Sequence, residues 1–176
     1  MNAGFDDAAA NFRTSDYCMD VAEWACRRCL LNMAIYALVL PVTHEARYVD
    51  DDESDESDSD GRWEMAELPV RLFYVGYLSP QARLRIGQLA PHYWLDWDDE
   101  MGIAYFMNHC SECGAGQGDR EIHEEYPSAF DLSNRRTSET SRVVPLHEPL
   151  AAHAAGFAID AWRFPMAGDR ARVKAG

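Results

Sequence analysis

Two cysteine pairs constrain this chain more than any other feature. Cys26-Arg27-Arg28-Cys29 and Cys110-Ser111-Glu112-Cys113 each leave two residues between the thiols. That gap lets both sulfurs of a tight turn reach one ion. Four thiolates arranged tetrahedrally fill the coordination sphere of Zn²⁺ and leave no open position. One such pair is ambiguous between a redox dithiol and half a metal site. Two pairs within 176 residues are far more specific. A redox dithiol of the thioredoxin kind sits at a strand-to-helix turn of a βαβ unit, and neither pair reads that way. A catalytic zinc needs a vacant position and usually a His or carboxylate ligand, whereas four cysteines complete the sphere. The expected ligands are therefore Cys26, Cys29, Cys110 and Cys113, around a structural Zn²⁺.

Eighty residues separate the pairs. Closing so long a loop is not prohibitive, because its entropy grows only as about (3/2)RT ln n. A structural zinc contributes roughly 10–16 kcal/mol in small domains, more than that cost. Gly114 and Gly116 follow the second pair, and glycine there lets the backbone approach the sulfurs closely. Arg27 and Arg28, inside the first pair, favour the thiolate form and offset the charge of a four-thiolate site.

Acidic side chains outnumber basic ones by 30 to 16, for a net charge of −14, and apolar residues make up 47%. Such a balance disfavours binding to nucleic acid or anionic membrane through bulk electrostatics. It suits a basic protein partner, or imitation of nucleic acid. The run Asp50–Asp60 holds eight acidic residues and three serines, so it supplies more than half of the excess. Its self-repulsion and lack of apolar side chains mark a solvated loop. Cys18 is left over and is expected to pack inside. Paired thiols with one left over, and an N-terminus without a basic stretch followed by an apolar one, lead us to expect a reducing cytoplasm. The apolar run 30–42, interrupted by Asn32 and Pro41, is too short to span a bilayer.

Along the chain, residues 1–14 are small and polar and read as a loose arm. Tyr17, Cys18, Val21 and Trp24 have helix-like spacing, which predicts a short helix over 15–24. Leu30–Leu40 is short, apolar and stopped by Pro41, which predicts a buried strand. Val70–Leu78, rich in aromatic and β-branched residues, predicts a second. Ser79-Pro80 reads as an N-cap with Pro at the first helical position, opening a helix to about Leu89 with Leu84, Ile86 and Leu89 inward. His92–Trp97 is aromatic and reads as core. Ile103–Asn108 predicts a strand running into the second cysteine pair. Residues 131–142 look like a linker. Glu148–Gly156 is Ala-rich and predicts a helix, Phe157–Phe164 an edge strand, and 167–176 a tail.

From Tyr105 the text runs through Asn108, His109, Cys110, Cys113, Gly114, Gln117, Gly118, Asp119, His123, Pro127, Ala129 and Phe130. This pattern resembles a group of bacterial zinc-ribbon proteins. There an aromatic strand enters an Asn-His-Cys-x-x-Cys-Gly knuckle, followed by Gln-Gly-Asp, a His and a Pro-x-x-Ala-Phe segment. The first pair, leading into an apolar strand, also fits, and the resemblance covers about residues 24–130. Arg120 and Glu121 depart from that group's apolar pair, and Tyr126 interrupts its Glu-Pro. The resemblance implies a zinc-binding fold and no particular reaction. The fold class expected is thus α+β: an antiparallel zinc-ribbon-like sheet with two knuckles, one or two packed helices and an acidic loop. The main domain would span 15–130, with 143–166 packed on it.

Asp119 and His123 lie four apart and can meet on one helical turn. Such a pair serves as a general base, or orients a loop, or hydrogen-bonds a metal thiolate from outside. His109, beside a ligand cysteine, is expected to support the site and not to ligate. Three functional classes follow. The leading one is a non-enzymatic zinc module that binds a protein partner through its acidic loop and the aromatic stretch 93–97. The second is an acidic inhibitor, of the nuclease-immunity or anti-defence kind. The third is an enzyme using Asp119 and His123.

Overall fold

A computed structural model describes residues 9–47, 62–125, 128–130 and 141–159. Among these residues, eleven strands form two antiparallel sheets. The larger contains β1 (Phe12–Thr14), β2 (Tyr17–Ala25), β3 (Asn32–Leu40), β4 (Glu45–Ala46), β5 (Glu64–Met65), β6 (Val70–Leu78), β10 (Arg142–Leu146) and β11 (Leu150–Ile159). Its order is β10-β2-β3-β6-β11-β1-β4-β5. The smaller contains β7 (Tyr93–Asp98), β8 (Ile103–His109) and β9 (Gly116–Gln117), in that order. The described residues also form one α-helix, α1 (Pro80–Leu89), and a π-helical turn (Arg120–Glu124). The α+β antiparallel architecture expected from the sequence is the one observed. No helix among the described residues is long and apolar enough to cross a membrane.

The β2–β3 hairpin explains how core and cysteines are related. Side chains alternate across a strand, and here both faces are covered. Tyr17, Met19 and Val21 on β2, with Leu38 and Leu40 on β3, enter the main core beside Leu72, Val75 and Ile86. Ala22, Met33, Ile35 and Ala37 face the other way, into a second cluster with Cys26, Cys110, Ile122 and Phe130. The turn of this hairpin is the first cysteine knuckle. The second knuckle links β8 to β9.

One residue ties the two sheets together. The side-chain amide of Asn108, on β8, accepts from the Tyr36 backbone N–H at 2.8 Å and donates to the Tyr36 carbonyl at 3.0 Å. It thereby occupies both hydrogen-bonding groups of a β3 residue as a neighbouring strand would, and it is buried. This clamp and the packing of β8 on β3 and β6 fix the second hairpin against the first.

Several local expectations are corrected. Residues 17–25 are a strand, not a helix, and pair along their length with β3. Residues 150–159 are a strand, not a helix. It is also not an edge strand, since β11 lies between β6 and β1. Gly156 belongs there because a Cβ would lie 2.1 Å from the Phe73 ring, so only hydrogen fits beneath that aromatic. The N-terminal arm is shorter than expected, because Phe12–Thr14 pairs with both β11 and β4. In α1 the buried residues are Ala82 and Ile86, while Leu84 faces solvent. Ser79 makes no side-chain cap. Its hydroxyl instead accepts from the Ala151 N–H, as its backbone joins β11. Of the aromatic stretch 93–97, Tyr93 is buried but Trp94 and Trp97 are exposed. The acidic run, the bulk of the 131–142 linker and the tail lie outside the described residues.

Candidate metal centre

The two knuckles fold alike. In the first, Leu30 N–H bonds Cys26 O at 2.9 Å and Cys26 N–H bonds Leu31 O at 2.9 Å; in the second, Gly114 N–H bonds Cys110 O at 2.9 Å and Cys110 N–H bonds Ala115 O at 3.0 Å. Each knuckle turns through a left-handed residue just after its second cysteine, Leu30 at φ 62° and Gly114 at φ 70°. Glycine adopts that conformation freely, whereas a leucine is strained by about 1 kcal/mol or more.

All four sulfurs converge. Cys26 Sγ lies 3.6 Å from Cys113 Sγ, and Cys29 Sγ lies 3.7 Å from Cys110 Sγ. The four atoms all lie within 4.8 Å of one another, and none forms a disulfide. With Zn–S near 2.3 Å, the edge of a tetrahedral thiolate site is about 3.8 Å. The shortest cross-knuckle separations match that edge, and a disulfide would need about 2.05 Å. The cluster can therefore hold a metal ion, with Cys26 and Cys110 buried and Cys29 and Cys113 half-buried.

The sulfurs are held from behind by amides. Arg28 N–H points at Cys26 Sγ at 3.4 Å. The Gln117 side-chain NH₂ reaches the same sulfur at 3.5 Å, and its Oε1 accepts from Arg27 N–H at 3.0 Å. Gln117 also donates to the Ala115 and Gly116 carbonyls. One buried amide thus bridges the first knuckle to the strand leaving the second. The Arg27 guanidinium pairs with Glu121 on the π-helical turn. Burial opposes the Cys26 thiolate, but amide hydrogen bonds from Cys29 and Arg28 and contacts with neighbouring thiols hold its pKa down at about 6. The stabilisation expected from the arginine side chains comes instead from backbone amides, that of Arg28 among them, and from the neighbouring thiols.

The other residues singled out by sequence sit nearby in supporting positions. His109 is buried, its ring stacked on Trp94 at 3.6 Å and 9°, with its nitrogens facing Met107 O at 2.9 Å and Asp96 Oδ2 at 3.0 Å. It is not among the clustered ligands. Cys18 packs in β2 away from the cluster, where burial raises its thiol to about 11. Asp119 and His123 do approach, but their closest atoms stand 3.9 Å apart, beyond a hydrogen bond. Both are sealed. His123 lies between the rings of Phe73 and Phe130, stacked on each at 5.4 and 5.2 Å. Burial, aided by the charge of Arg71, lowers its pKa to about 3. Asp119 Oδ2 accepts from Tyr74 N–H at 2.6 Å, and Asp119 N–H bonds the Tyr105 hydroxyl, which donates to Asp98 at 2.6 Å. Burial still raises the Asp119 carboxyl to about 7, against the pull of the Tyr74 amide. Tyr74 itself is left-handed, at φ 52°.

Sequence reasoning missed the roles of Asn108 and Gln117, although both stand in the motif. Compared with known protein families, curated proteins and solved structures, the chain matches none.

Proposed function

We propose that this chain is a non-enzymatic zinc-ribbon module in which Zn²⁺, held by Cys26, Cys29, Cys110 and Cys113, locks two hairpins into a surface for a protein partner. The observation that carries this reading is the closed set of four sulfurs at tetrahedral spacing. Such a sphere supplies rigidity and leaves the ion no position for substrate. The exposed Trp94, Leu95 and Trp97 on β7 supply aromatic and aliphatic area of the kind that anchors interfaces. The buried Asp119 and His123, without a direct hydrogen bond, support a structural role better than a general base.

Elemental analysis of purified protein is expected to give one zinc per chain, and Cys110→Ser to abolish it. Cobalt substitution should give the intense visible bands of a tetrahedral thiolate site. A chain that binds no metal, or melts identically with and without a chelator, overturns the reading. The strong negative charge supports a second reading, an acidic inhibitor that imitates nucleic acid. Deleting residues 50–60 would then abolish capture of its target, and unchanged capture would exclude it.

A further inference from the structure

The helix α1 has two working faces. Ala82 and Ile86 enter the main core. Arg83, Leu84, Gly87 and Gln88 follow the spacing of a second helical stripe and line a trough whose other side is Leu95 on β7. Leu78 and Phe106, both buried, form its apolar floor. The trough measures about 600 Å³, within the range of small-molecule sites. Leu84 is 68% and Leu95 43% exposed, so the fold leaves apolar surface uncovered on both walls.

Two glycines keep this space clear. Gly87 lies inside α1 and Gly76 inside β6, and glycine weakens the interior of a helix or a strand. Neither has the left-handed φ that calls for glycine. A Cβ on Gly87 would meet nothing within 4 Å, and one on Gly76 would meet nothing closer than 3.7 Å. Packing within the chain therefore explains neither residue, in contrast to Gly156 beneath the Phe73 ring. Both line the trough, and the side chains they lack would narrow it.

The charge of the trough selects its occupant. No Asp or Glu lines it, in a chain of net charge −14. Its one charged lining residue is Arg83, whose side chain makes no ion pair or hydrogen bond among the described residues. Arg85, two positions on, is paired with Glu148. An apolar trough with a single unpaired guanidinium matches a molecule with an apolar body and one anionic head. A cationic head would be repelled there, and a neutral one would forgo the charge-assisted hydrogen bond.

We infer that the trough between α1 and β7 is a binding site for a small apolar carboxylate, with its chain against Leu84, Leu95 and Phe106 and its carboxylate on Arg83. The site stands apart from the metal centre, since none of its lining residues belongs to the cluster around Cys26 and Cys110. Of the surface offered to a protein partner, it shares Leu95.

Calorimetric titration and amide NMR of the full chain with decanoate, decanol and decylamine, each below its micelle-forming concentration, test it. Decanoate is expected to saturate one site per chain and to move amide resonances of α1, β7 and residues 76–78. Decanol, with the same chain and no charge, should bind about tenfold or more weakly, and decylamine more weakly still. Arg83→Gln should bring decanoate down to the level of decanol and leave decanol unchanged, which a merely structural role for Arg83 would not do. Gly87→Leu should block all binding while raising the melting temperature, because leucine favours helix there, so misfolding cannot explain the loss. Absence of saturable decanoate binding overturns the site. Equal affinity for the three probes overturns the anionic head, and decanoate binding indifferent to Gly87→Leu overturns the location.

Discussion

At the scale of single residues, the matched knuckles allow paired substitutions of opposite sign. Leu30 and Gly114 hold the same backbone conformation, at φ 62° and 70°. Leu30→Gly should remove strain and raise stability by about 1 kcal/mol, less the entropy that glycine adds to the unfolded chain. Gly114→Ala should lower it by about 1 kcal/mol, because nothing crowds a Cβ there and conformation alone is penalised. Urea unfolding of both zinc-loaded variants reads the two signs. Asp119 provides a pH-dependent case. Its folded pKa of about 7 lies above the ordinary carboxyl value, so the protonated form is favoured in the fold. The associated stability is complete below about pH 4 and is lost as pH rises through 7. His123 runs the other way, since its folded pKa of about 3 is depressed and its contribution is lost as pH falls below 6.5. Asp119→Asn keeps an acceptor for Tyr74 N–H and cannot ionise. It should exceed wild type by on the order of 1–3 kcal/mol at pH 8, and the gap should shrink toward pH 5. A gap independent of pH would show that the carboxyl does not titrate near neutrality.

At the scale of elements, the Asn108 clamp is the joint that aligns the hairpins. Asn108→Ala leaves the Tyr36 N–H and carbonyl without their side-chain partner in a buried site, a loss of about 2–3 kcal/mol. Hydrogen exchange should rise at Tyr36 first, which separates the clamp from a general loss of packing. This joint also shows where sequence was legible. The cysteine cluster could be read because two Cys-x-x-Cys spacings are the local requirement of one ion. The strands over 32–40, 70–78 and 103–109, and the helix opening at Pro80, could be read because apolar runs and Ser-Pro punctuation are local too. Asn108 and Gln117 could not, since each acts on a backbone 72 or 90 residues away. The strand at 17–25 was obscured for another reason. Both of its faces are covered, one by the main core and one by the cluster around Cys26 and Cys110, so the alternation that marks a half-buried strand is erased. Tyr17, Cys18, Val21 and Trp24 then mimic a helical stripe. In β11 the alanines favour helix on their own. The pairing with β6 and β1 and the Phe73 ring over Gly156 override that preference.

At the scale of the whole molecule, the two clusters predict that metal loss unfolds the chain unevenly. The main core gathers β2, β3, β6, β11 and α1 around Tyr17, Leu38, Leu72 and Ile86, and no cysteine belongs to it. The second cluster contains Cys26 and Cys110 themselves, packed with Ile35, Ile122 and Phe130. Binding energy for a structural zinc is folding energy for whatever the site organises. In the proposed zinc module, removing the ion leaves four thiols within 4.8 Å and withdraws one link between the hairpins. The Gln117 bridge, the Arg27–Glu121 pair, the Asn108 clamp and the apolar contacts then carry the link. Chelation should therefore deprotect amides of residues 24–33, 108–117 and 120–124 by hydrogen exchange, while β6 and the N-terminal half of β11 keep most of their protection. Thermal unfolding of the metal-free chain should split into two transitions, and zinc should merge them and raise the first. Uniform deprotection would mean that the sheet depends on the clasp as a single cooperative unit. Deprotection confined to the knuckle turns would mean that Asn108 and the apolar contacts hold the hairpins together without the metal.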